Sequence, residues 1–295
     1  MSANRIIDVS NPAYLRTAKR QLIIEQESQI AATIPIEDLE VILLSHPQIT
    51  TSIGLMQQCL ESKVPIIVCD QKHMPKGYLF NPLANTLHSK VLKLQIGAPL
   101  PLKKQIWATL VRAKITGQSY VLSAKDRPDG GLSQLVNRVK SGDLENIEAQ
   151  AAARYWRRLF GSEFRRNPDS DGINALLNYG YAIIRAATAR SLAAAGLNPS
   201  IGLFHHNQYN HFCLADDLME QTRPLVDGTV YDLCQDHIPS VDRSTKTTLL
   251  AVLQQEVVYD DRKYYLTDAL HRSAASLAQA LESRSTKTFK CLALS

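Results

Sequence analysis

From residue 5 to about residue 80 the apolar positions fall in short runs rich in β-branched side chains, at 6–9, 22–24, 30–36, 41–44 and 64–68, and these predict strands. Between the last two, residues 52–60 carry a helical pattern with Ser52 placed to cap it. The stretch 70–82, broken by Pro75, Gly77 and Pro82, predicts a linker or an extra hairpin. From about residue 85 the period lengthens to that of a helix. Helices are expected near 86–95, 101–117, 131–140, 143–160, 172–195 and 211–221, with Pro128 to Gly131 and Asn167 to Gly172 as breaks. Residues 257–266 alternate about Asp260-Asp261 and predict a small hairpin before a helix over 267–283, and the polar, basic stretch 283–295 is expected to be partly disordered. The pattern therefore describes an α+β chain: a small β-rich N-terminal domain over residues 1–84, its linker starting at about 70, and a larger all-α C-terminal domain over 85–295.

Composition narrows the class without naming a chemistry. The 295 residues are 45% hydrophobic and 21% charged, a globular balance. Five cysteines, at 59, 69, 213, 234 and 291, are odd in number and contain no C-x-x-C pair, which argues against a disulfide framework and a zinc ribbon and fits a reducing cytoplasm. No apolar run approaches a membrane span and the first residues lack a leader-like core. The net charge is +5, so its distribution matters more than its sum. Lys103, Lys104, Arg112 and Lys114 fall on one expected helix; Arg154, Arg157, Arg158, Arg165 and Arg166 follow Glu148; and Arg185 and Arg190 lie on the next helix. Such groups suit backbone phosphates, or simply form solvated helix faces.

The stretch from Gly202 to Glu220 sets His205, His206, His211, Asp216, Asp217 and Glu220 at separations that suit one divalent metal. On a helix Asp217 and Glu220 share a direction, with Leu214, Ala215 and Leu218 turned inward. Glu148 opens an amphipathic run toward Tyr155 and Trp156, and an acid on so apolar a face calls for a cation partner. A helix-start glutamate is also an ordinary favourable N-terminal charge, a lone histidine is commonly just hydrogen-bonded, and aromatic residues at helical spacing favour the core. Asp216 and Asp217, and the neighbouring histidines, remain open alternatives at this level. Lys246, after Asp242-Arg243-Ser244-Thr245, reads either as a counter-charge to phosphate or as part of a helix cap.

The order Glu148 to Tyr155-Trp156, then Ala175-Leu-Leu-Asn178-Tyr-Gly-Tyr181, then Gly196-Leu-Asn-Pro199-Ser-Ile-Gly-Leu-Phe-His205, then Leu214-Ala-Asp-Asp217-Leu-Met-Glu220 with Arg223-Pro224 and Asp227, resembles the CRISPR adaptation integrase family. The double histidine with Asn207-Gln208, and the length, are most similar to the branch of type II systems. The resemblance implies a metal-dependent DNA endonuclease and integrase that inserts captured fragments into a CRISPR array by 3′-hydroxyl attack. It implies Glu148, His205 and Glu220 as catalytic metal ligands with Asp217 as support; Lys246 is a further candidate support from its own context, and two carboxylates with one imidazole suit Mg²⁺ or Mn²⁺. Double-stranded DNA, a homodimer arranged as a dimer of dimers, a small ferredoxin-like adaptation subunit and the type II effector nuclease are the partners it implies. The other readings are a metal-dependent repair nuclease and a non-catalytic DNA-binding scaffold.

Overall fold

A computed structural model describes residues 5–70, 75–81, 85–235, 237 and 240–294. The chain divides into two compact units, Met1–Ala84 and Asn85–Ser295.

The first unit holds eight described strands, β1 (Arg5–Val9), β2 (Ala13–Ala18), β3 (Gln21–Gln26), β4 (Gln29–Pro35), β5 (Leu39–Leu44), β6 (Ile49–Thr51), β7 (Ile66–Cys69) and β8 (Pro75–Leu79), with α1 (Ile53–Glu61) between β6 and β7. They form two four-stranded sheets, ordered β1-β5-β7-β8 and β4-β3-β2-β6, from a stretch whose hydrophobic pattern marks only five strand runs. β2, β6 and β8 escape that pattern because their alternation is diluted by polar and small residues. The β2–β3 and β3–β4 hairpins turn on two residues each, Lys19-Arg20 and Glu27-Ser28, all four at positive φ without a glycine. This is the backbone of a tight turn matched to strand twist. Ser52 accepts a hydrogen bond from the Leu55 amide and caps α1. Leu15, Leu22, Ile36, Ile42, Leu55 and Cys59, from both sheets, α1 and the 3₁₀ turn Ile36–Asp38, meet in one apolar core. The stretch read as linker or hairpin thus contributes β8, antiparallel to β7. Its residues 71–74 and 82, with 83–84, lie outside the described residues, as do residues 1–4, the start of the stretch expected to lack a leader-like core.

The second unit is built on α2 (His88–Ile96), α3 (Leu100–Ala124), α4 (Leu132–Val136), α5 (Ile147–Phe160), α6 (Ile173–Ala194), α7 (Cys213–Met219), α8 (Arg223–Leu233), α9 (Arg243–Leu250) and α10 (Leu266–Ser283). It is not all-α. Strands β9 (Glu256–Tyr259), β10 (Arg262–Tyr265) and β11 (Ala293–Leu294) make a three-stranded sheet ordered β10-β9-β11. Asp260-Asp261 form the expected two-residue turn at positive φ. β11 corrects the expectation of a disordered tail: Phe289 and Leu292 are buried, and their burial with the pairing of β11 on β9 holds the stretch in place. The core collects Ile106, Trp107 and Leu110 of α3, Ile147, Ala151, Tyr155 and Leu159 of α5, Leu214 and Leu218 of α7, and Leu277 of α10. The four α5 residues are spaced by four, one apolar stripe along the helix. Among the described residues no helix is long and apolar enough to cross a membrane.

Candidate metal and nuclease centre

The backbone before α5 is unusually contorted, with Gly142, Asp143 and Asn146 all at positive φ. The bend turns Asp143, buried, back onto the helix start. Its two carboxylate oxygens accept the Ile147 and Glu148 amides at 2.9 Å each. Two of the otherwise unpaired first-turn amides are thereby satisfied, and Glu148 is fixed next to the apolar stripe. Its Oε1 lies 2.5 Å from Nζ of Lys114, in the middle of α3.

Glu220 reaches the same ammonium from another direction. It stands in a 3₁₀ turn, Glu220–Thr222, between α7 and α8, rather than on the regular helix the spacing suggests. Oε2 of Glu220 is 2.6 Å from Lys114 Nζ and Oε1 is 3.0 Å from Nε of Arg223. Both contacts are close ion pairs made in a buried setting. Burial opposes the charge on Glu220, yet Arg223 and Lys114 outweigh it and hold the carboxyl below its usual range. Burial likewise opposes the Lys114 charge, and Glu220 and Glu148 outweigh it, holding the ammonium above its usual range.

Asp217 is completely buried and organises the loop that carries His205. Its carboxylate accepts the amides of Leu203, Phe204 and His205 at 2.6, 3.0 and 3.1 Å, and Oδ1 meets His205 Nδ1 at 2.6 Å. Gly202 is required where the loop closes: a Cβ there would sit 2.2 Å from the His205 carbonyl oxygen and 3.0 Å from Asp217 Oδ2. Phe204 stacks flat on Trp107 at 4.3 Å, and both rings present themselves edge-on to the imidazole, at 5.7 and 5.6 Å. The Asp217 hydrogen bond raises the His205 pKa, against the effect of burial, with Glu220 among the carboxylates adding to the rise. Asp216, on the same helix, pairs instead with Arg185 at 2.7 Å.

Behind Glu220, the Arg223 guanidinium lies over the Tyr181 ring at 4.8 Å, and Tyr181 donates to Asp227. Burial pushes the Asp227 carboxyl up to about 7, against the Tyr181 hydrogen bond.

The structure therefore gathers Glu148 and Glu220 on one cation and ties His205 to Asp217. Lys246 is buried on α9 with its Nζ 6.0 Å from the Tyr179 ring, while the helix is capped by Asp242 and Thr245 in a reciprocal pair. Tyr155, Tyr179 and Tyr181 are core residues, and Trp156 is partly covered by Phe160 and Phe164. His206 is exposed, its Nδ1 on the Phe204 carbonyl. One correction concerns α7, where burial is not confined to Leu214, Ala215 and Leu218: Asp216 and Asp217 are as buried as the leucines, because Arg185 and the loop amides neutralise them. Another concerns Lys114, which reads as part of a phosphate-facing cluster yet lies inside the site. The signal was present, since Trp107, Leu110, Val111 and Lys114 recur at helical spacing on the buried side of α3.

Among the described residues no three His, Cys, Asp or Glu side chains stand ready around one point. The donor chemistry nevertheless suits a hard divalent ion. Two carboxylates already face one cation, Glu220 Oε2 lacks a hydrogen bond, and His205 keeps Nε2 once Nδ1 is given to a carboxylate.

Residues 9–259 match the family model described as CRISPR associated protein Cas1. A CRISPR-associated endonuclease Cas1 of Neisseria meningitidis serogroup C (strain 8013) is 34% identical over 290 residues, 97% of this chain and 95% of that protein. Among solved structures, a casposase bound to integration product superposes with a TM-score of 0.78 at 16% identity, over 96% of this chain and 91% of the other. A chain of a Cas6-RT-Cas1–Cas2 complex matches with a TM-score of 0.74 at 20% identity, covering 98% of this chain and 36% of that one. At these identities the two structures speak for the fold.

Proposed function

The chain belongs to the CRISPR-associated Cas1 family, and from that premise we propose that it is the endonuclease and integrase that inserts captured DNA fragments into a CRISPR array. The observation that carries the reading at the level of the site is the convergence of Glu148 and Glu220, from separate segments of the helical unit, on one buried cation, with His205 braced by Asp217 in the neighbouring loop.

Glu148, His205 and Glu220 would hold Mg²⁺ or Mn²⁺, which when bound supplies Lewis-acid charge beside a phosphodiester under attack by a 3′-hydroxyl. The protein's own part is to keep those three groups in place. Asp143 anchors the backbone of Glu148, Arg223 turns one oxygen of Glu220 away and leaves the other, and Asp217 fixes the ring and tautomer of His205 through Nδ1. Phe204 and Trp107 restrict the ring from its edges. Exposed arginines and lysines supply affinity for the DNA backbone without reading sequence.

One such site joins one strand. Insertion into both strands of a repeat requires two copies, which supports a homodimer paired about a small ferredoxin-like adaptation subunit. The presence of the fold in a chain of a Cas1–Cas2 complex supports such a partner. The type II effector nuclease is a further partner consistent with the likeness to the Neisseria protein.

The test is strand transfer of a short duplex with free 3′-hydroxyl ends into a supercoiled plasmid carrying a repeat, with the small partner present, in Mn²⁺, Mg²⁺ or chelator. Joined product that needs metal and disappears with a 3′-dideoxy donor is expected. Glu220→Gln should lower joining by at least about a thousandfold, roughly 4 kcal/mol of barrier, while duplex binding persists. Metal-dependent nicking without joining would make the protein a hydrolytic nuclease, and undiminished joining by Glu220→Gln would remove the site assignment.

A further inference from the structure

We infer that Lys114 is a displaceable internal counter-ion: its ammonium occupies the position between Glu148 and Glu220 in the metal-free protein and must leave that position for a divalent ion to bind. The inference rests on the reading of Glu148, His205 and Glu220 as metal ligands.

Occupancy of that position is exclusive. Lys114 Nζ is 2.5 Å from Glu148 Oε1 and 2.6 Å from Glu220 Oε2. A magnesium ion takes carboxylate oxygens at roughly 2.1 Å, so an ion shared by the same two oxygens would overlap the ammonium. Charge gives the reason for the arrangement. Without a cation, Glu148 and Glu220 would be like charges facing one another in a site that leaves Glu220 almost wholly buried, and a buried charge without a partner is strongly destabilising. Lys114 and Arg223 together balance the two acids, so the fold closes without metal.

The two cations are held differently, and that difference marks Lys114 as the one that moves. Arg223 is pinned over the Tyr181 ring and takes the Glu220 oxygen turned away from Glu148. Lys114 has a flexible four-carbon stem, rises from the middle of α3, and touches both acids at the point where they converge. Both cations meet Glu220 as ion pairs, so the difference lies in the flexible stem of Lys114 and in the stacking of Arg223 on Tyr181.

Two consequences can be measured. An ion that has to displace a bound ammonium binds with an affinity reduced by the fraction of protein in which the position is free. Removing the ammonium while keeping most of the stem, as in Lys114→Met, should therefore tighten Mn²⁺ binding by at least about tenfold, or 1.4 kcal/mol. In the native protein, the amine released by metal should become reactive.

Isothermal titration of the full-length protein with Mn²⁺ compares wild type, Lys114→Met and Glu148→Gln. Binding that is lost in Glu148→Gln and at least tenfold tighter in Lys114→Met is the expected result. Wild-type binding lost in Glu148→Gln but unchanged or weaker in Lys114→Met would overturn the counter-ion role and leave the ligand assignment standing. No wild-type binding that depends on Glu148, together with none in Lys114→Met, would overturn the ligand assignment and the inference with it. Should Lys114→Met not fold, acetic-anhydride labelling of wild type, read by mass spectrometry with and without Mn²⁺, decides. Lys114 labelling should rise severalfold with metal, and equal labelling at saturating Mn²⁺ would refute displacement.

Discussion

The β unit closes around aliphatic side chains from two sheets and a helix, whereas the helical unit closes around charged groups as well as its leucines. In the first, Leu15, Leu22, Ile42 and Leu55 are essentially inaccessible, and the described buried polar residues are Glu40 and Ser45. In the second, Lys114, Asp143, Asp216, Asp217, Glu220, Asp227 and Lys246 are all buried, most of them near the candidate centre. Apolar burial contributes stability in any order of contacts that fills space. Buried charge does so only when each group finds its partner, and replacing such groups by hydrophobic ones is often neutral or favourable for stability. A unit that nevertheless carries so many must give each of them a partner, and the β unit shows how the same chain builds a core without that constraint.

The contrast predicts that pH acts on the helical unit through its buried acids. Asp227, with its folded pKa near 7 against an ordinary 3.8, is protonated more readily in the folded state than in the unfolded one. Its contribution is present below pH 4, declines as the unfolded chain ionises first, and levels off above pH 7, an overall loss on the order of 4 kcal/mol at most. Denaturant titrations of wild type and Asp227→Asn between pH 4 and 8 should show that slope in the first and not the second; parallel profiles would mean that Asp227 is not the titrating group.

Leu22→Ala should cost the β unit about 3 kcal/mol through the cavity it leaves, equally at pH 5 and pH 8. Its effect is read from the denaturant midpoint, and a pH-dependent cost would blur the contrast between the units. Arg223→Ala leaves Glu220 with Lys114 as its remaining cation, and because the guanidinium is only partly buried the expected cost is nearer 2 kcal/mol. Thermal melts at high and low salt check it: the loss should persist in high salt, since a screened surface pair would vanish there.

Much of this was legible in the amino-acid order because local rules and tertiary rules agree there. The runs at 22–24 and 41–44 are strands, Ser52 caps its helix, Asp260-Asp261 turn a hairpin, and the motif from Glu148 to Asp227 points to the family that the comparisons identify. Where the two kinds of rule diverge, the pattern misled. β11 is two residues whose pairing with β9 exists only after the helical unit has closed, so residues 283–295 look like a tail. Helical spacing put Asp217 and Glu220 on one face, but Glu220 sits in a tighter turn and Asp217 faces a loop.

By itself the sequence determined the longer and more regular elements, the division into a β-rich and a helical part and the residues able to hold a cation, since these follow from periodicity, capping and side-chain chemistry along a few consecutive turns. Tertiary structure alone decided that Lys114, and not a neighbouring basic residue, meets Glu148 and Glu220, that Arg223 takes the second Glu220 oxygen, and that Asp217 serves His205. Those choices belong to the packing of α3, α5 and the 3₁₀ turn before α8, and the charges compete for partners only once that packing has removed water from between them.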